Sequence, residues 1–180
     1  PNQEMAVLVK PGNSAVLDII LPHTPVSEER AAALQKKDFE QTRVECRDFW
    51  KDKLALAAKF CVPEKRIEEM LRAGLFHLDI TTYGLEPEGS VAPSVGQLYA
   101  PIGSESAPII MFFDSVGLHE LAKRSIQYFI DRQRENGFIQ TFDTYMLETG
   151  SVLWLVGEHY RYTRDKAWIY EIKDKVIKSC

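Results

Sequence analysis

"SAPIIMFFDSVGLHELAKRSIQYFIDRQRE", residues 106–135, decides the fold class. Its apolar residues recur three and four positions apart. That spacing lines them along one face of a helix, whereas a half-buried strand would alternate. Ile109, Ile110, Phe112, Phe113 and Val116 give one face, and Leu121, Ala122, Ile126, Phe129 and Ile130 give a second. The spacing predicts helices near 106–117 and 118–135, with Asn136-Gly137 stopping the second. The turn at Val116–Leu118 is so short that the two helices must run antiparallel.

The same rhythm continues downstream. "FDTYMLETGSVLW", residues 142–154, sets polar and acidic residues in front of an apolar helix that runs through Val152, Leu153, Val156, His159 and Tyr160. "YTRD", residues 162–165, reads as a tight turn. A last helix carries Trp168, Ile169, Ile172, Val176 and Ile177. Upstream, Phe39, Thr42, Cys46, Phe49, Trp50, Leu54, Ala57 and Phe60 form one stripe. Pro63 then opens a helix at its first position, with Ile67, Met70, Leu71, Gly74, Leu75 and Leu78 inward. Ser27 followed by Glu28 and Glu29 caps a short connecting helix. "MAVLVKPGNSAVLDIILP", residues 5–22, reads as a β-hairpin around Pro11-Gly12-Asn13.

Short turns therefore alternate with long polar connections at 79–105 and 136–147. Antiparallel neighbours joined this way deliver all the long connections to one end of the helices. The resulting expectation is an all-α fold of helical hairpins, a solenoid or a closed ring, preceded by a short β-hairpin. Loops held on such a scaffold are where function concentrates.

Composition removes several classes. The chain has 180 residues, 45% hydrophobic and 11% aromatic, which is enough for a packed core. Net charge is −4 and no basic run interleaves with aromatics, so nucleic acid is not an expected partner. Apolar runs are too short to span a bilayer, so neither is a membrane. Cys46 and Cys61 on one helix would stand about 22 Å apart, too far for a disulfide. With no CxxC spacing, the three thiols read as packing residues and no metal or cofactor is expected. His119 lacks the second histidine of a zinc-protease helix and reads as a helix start. His77 and His159, and Trp50, Trp154 and Trp168, lie on helical stripes and read as core. No Gly-rich phosphate loop occurs, and Ser104-Glu105-Ser106 has no nucleophile-elbow context.

From about Phe39 to Lys178 the chain resembles the six-hairpin glycosidases, the (α/α)6-toroid superfamily, in its glucoamylase-like branch. The resemblance rests on "FWKDKLA", "PEKRIEEMLRAGLFHL", "QLYAPIGSESAPIIMFFDSVGLHELAKRSIQYFIDRQRENGFI" and "ETGSVLWLVGEHYRYTRD". The chain departs from many members in carrying Gly103-Ser104-Glu105 where they carry Trp-Arg-Asp. The resemblance implies three parts: residues 1–22 as the tail of a preceding β-sandwich, 23–37 as a linker helix, and 38–180 as the N-terminal part of a toroid. It also implies a glycoside hydrolase fragment whose catalytic acid and base lie beyond Cys180.

Hydrolysis of a glycoside needs two carboxyl groups flanking the scissile bond. The acids visible here are assigned by the resemblance to gripping an oligosaccharide or glycoside and not to proton transfer. Tyr99, Glu105, Asp143, Tyr145 and Glu148 are the candidate substrate-binding residues, with Trp154 as a further ring contact. Glu105 and Glu148 also stand where they would complement a helix dipole. Asp143 also suits a turn, and the tyrosines also suit core or rim packing. Partial ring closure implies as partner either the remainder of the toroid or a second copy. Other toroid enzymes (a polysaccharide lyase or a sugar epimerase) and a non-catalytic helical-repeat module are the alternatives.

Overall fold

The computed structural model describes residues 6–22, 25–85, 88–96 and 100–180. The chain divides into two compact units, residues 1–51 and 52–180. Among the described residues there are seven helices and one two-stranded antiparallel sheet.

The first unit holds α1 (Glu28–Gln35) and most of α2 (Phe39–Leu54). Ser27 caps α1 as predicted, its hydroxyl accepting the Arg30 N–H at 3.2 Å. At the front of α2 the Asp38 carboxylate accepts the Gln41 N–H at 2.8 Å. Neither helix buries a residue. The expected hairpin at the N-terminus reduces to its turn. The Asn13 N–H reaches Lys10 O at 3.0 Å, with Gly12 at φ 84°. The flanking residues within 6–22 are exposed and form no strand, because two short runs that bury nothing gain little by pairing.

The second unit contains α3 (Lys65–Ile80), β1 (Thr82–Gly84), β2 (Val91–Pro93), α4 (Gly103–Ser115), α5 (His119–Ile130), α6 (Glu148–Thr163) and α7 (Lys166–Ser179). One cluster forms its core, built on Ile110, Phe113, Ile126, Phe129, Ile130, Val152, Leu155 and Trp168 among others. These side chains come from the faces that the three-to-four spacing marks out.

Contacts fix the helix directions. Gly103 meets Glu148 at one end of the α4–α6 pair, and Asp114 meets His159 at the other, so α4 and α6 run parallel. Lys123 meets Asp165, Trp168 meets Gln127, and Gln133 meets Lys175, so α5 and α7 are also parallel. Two antiparallel hairpins, α4–α5 and α6–α7, are thereby stacked side by side. The tight turn at 162–165 forms as predicted. Arg164 takes a left-handed conformation, φ 56°, and Asp165 caps α7 by accepting the Trp168 N–H at 3.0 Å.

Within the long connection before α4, the described residues form regular structure. They include the β1–β2 hairpin, whose second strand, Val91–Pro93, is buried along its length. A side chain at Gly84 would lie 2.2 Å from Ser90 O, so only glycine permits this pairing. Arg124 on α5 clamps the hairpin turn, donating to Gly89 O at 2.7 Å and Leu85 O at 3.1 Å.

Other details also differ from expectation. The α2 stripe ends at Leu54, and Pro63 precedes the first turn of α3, whose cap is Glu64. Cys46, Cys61 and Cys180 are all exposed, so none is a packing thiol. His77 is exposed on α3. Trp154 is 46% exposed, because it lies on the side of α6 opposite Val152 and His159, whereas Trp168 at 2% is core.

Candidate functional site

Parallel packing of α4 and α6 sets their N-termini side by side, and both long connections of the second unit arrive at this end. The Glu148 carboxylate joins them. It is fully buried, at 0% exposure. Oε1 accepts the N–H groups of Thr141 at 2.8 Å and Phe142 at 3.0 Å. Oε2 accepts the Gly103 N–H at 2.8 Å and the Thr141 hydroxyl at 2.5 Å. The Thr141 Oγ1 also lies 2.8 Å from Pro101 O, on the other connection. A side chain at Gly103 would approach Val152 and Glu148 at 3.1 to 3.3 Å, so this close seat leaves little room for a larger residue.

This geometry corrects the reading of Glu148 as a sugar ligand. Its oxygens face inward and are engaged by four donors of the chain itself. The acid is a staple that fixes the loop before α6 against the start of α4. It also occupies the first position of α6, where a carboxylate complements the exposed amides of the helix.

The remaining candidates stand around this staple. Glu105 is half-buried in the first turn of α4, two residues beyond Gly103. Asp143 is in the loop before α6, its side chain 94% exposed and paired with Arg134 at 2.9 Å. Tyr145 is 38% exposed, and its ring meets Phe142 edge-on with centroids 6.3 Å apart. Gln140 braces the loop by donating to the carbonyls of Asp143 at 2.9 Å and Tyr145 at 3.2 Å. Tyr99 lies outside the described residues. Trp154 projects from α6 one and a half turns further along.

No protein-family model, curated protein or solved structure matches this chain. The rim is therefore interpreted from its own chemistry. Phe142 and Tyr145 present exposed aromatic rings at this rim. Glu105 and Asp143 add two carboxylates to the same rim. Among the described residues, no group of three His, Cys, Asp or Glu side chains is placed to hold a metal ion. No helix there is long and apolar enough to cross a membrane.

Sequence reasoning missed two features. Ser104, between Gly103 and Glu105, has a buried hydroxyl with no partner among the described residues. Pro108, four residues on, has no N–H to give the Ser104 carbonyl. The only signal was the small polar pair in front of an apolar run. The second is at the opposite end of the α4–α6 pair. The buried Asp114 carboxylate accepts Nδ1–H of His119 at 2.8 Å and of His159 at 3.0 Å. His159 then meets Trp168 edge-on, with ring centroids 5.1 Å apart. The expectation of a core imidazole at His159 agrees with this geometry. Its carboxylate partner on another helix could not be deduced from spacing within a helix.

Proposed function

We propose that this chain is a carbohydrate-binding portion of a glycoside hydrolase, its stacked helical hairpins forming part of an (α/α) toroid. One observation carries the proposal: two long connections reach the adjacent N-termini of parallel helices α4 and α6 and are stapled there by Glu148. The resulting rim bears Glu105, Asp143, Tyr145 and Phe142 on a rigid base. A pre-ordered rim loses less conformational entropy when a sugar binds.

We assign proton transfer to none of these residues. Glu148 is locked by four donors, and Asp143 is held in a surface ion pair with Arg134.

Calorimetric titration with a panel of gluco-, manno- and galacto-oligosaccharides tests the reading. At least one should bind, and Tyr145→Ala should weaken it about tenfold, corresponding to about 1.4 kcal/mol of ring contact. Aryl glycosides should not be turned over by the 180-residue chain. Failure of every sugar to bind, or binding unaffected by Tyr145→Ala and Asp143→Ala together, would overturn the proposal.

A further inference from the structure

We draw no further inference here: the strongest candidate, the open apolar groove of about 580 Å³ along α3 lined by Ile67, Met70, Leu71, Leu75, Leu78 and Phe112, is an unpartnered helix face, and nothing in the structure shows what covers it.

Discussion

Glu148 Oε2 accepts the backbone N–H of Gly103 at 2.8 Å, across 45 residues of sequence. A fully buried carboxylate with four donors and no cation among the partners described above is a structural element. Removing it strands the N–H groups of Gly103, Thr141 and Phe142. An unsatisfied buried donor costs about 1–3 kcal/mol. Glu148→Ala should therefore destabilise the chain by about 3 kcal/mol or more, lowering the melting temperature by on the order of 10 °C. Glu148→Gln should act in the same direction, because its amide group must turn hydrogens toward existing donors. Differential scanning calorimetry measures both, and an unchanged transition in Glu148→Gln would remove the staple.

Asp114 ties the far end of the same helix pair. Asp114→Ala leaves the buried His159 Nδ1–H without its acceptor and is expected to cost about 2–4 kcal/mol. His119→Ala should cost less than about 1 kcal/mol, since that imidazole is half exposed and water can replace it. Denaturant titration of the two variants gives the order. Equal losses would mean that the His119 arm carries as much of the link as the buried one.

The α7 cap predicts an acid-sensitive difference. The Trp168 N–H, and then Lys123, hold the Asp165 carboxyl below the ordinary aspartate range. The folded chain consequently releases this proton more readily than the unfolded chain. The stabilising contribution is complete above the ordinary value, about 3.9, and is lost as pH falls through the lowered folded value. Asp165→Asn should melt below the parent at pH 6, and the gap should close in stronger acid. A gap independent of pH would assign the cap to shape alone.

The two tryptophans of the last hairpin should separate cleanly. Trp168→Ala removes a core ring packed on His159 and should cost about 3–5 kcal/mol. Trp154→Ala removes a half-exposed ring and should change stability by less than about 1 kcal/mol. Paired thermal melts decide this, and similar losses would show that Trp154 is packed after all.

Helices α4 to α7 were legible because their apolar faces are long, closely spaced and separated by Gly117 and the turn at Arg164, although α5 ends at Ile130, capped at Asp131, and not at Asn136-Gly137 as the spacing predicts. Their core side chains followed from the same period. The β1–β2 hairpin was not legible, because three-residue strands such as Val91-Ala92-Pro93 are too short to display alternation. Residues 6–22 misled for the opposite reason. Their alternation is clear, but strand formation depends on a partner surface that local pattern does not encode. At the rim, the structure puts Asp143 and Tyr145 in the loop before α6, and Glu105 and Glu148 in the first turns of α4 and α6. Sequence could not distinguish an acid that faces solvent from one that faces inward. That difference arises from the parallel approach of α4 and α6, which brings Gly103 to Glu148. The same limit hid the link from Asp114 to His159.

Carbohydrate binding at this rim is tested most directly by following backbone amide resonances of the isotope-labelled chain through an oligosaccharide titration. Saturable shifts should cluster at residues 103–105 and 141–148, beside Tyr145, and leave the Asp114–His159 end unmoved. Saturating sugar that moves none of these amides, or moves only those lining the α3 groove, would contradict a carbohydrate site between the two helix N-termini.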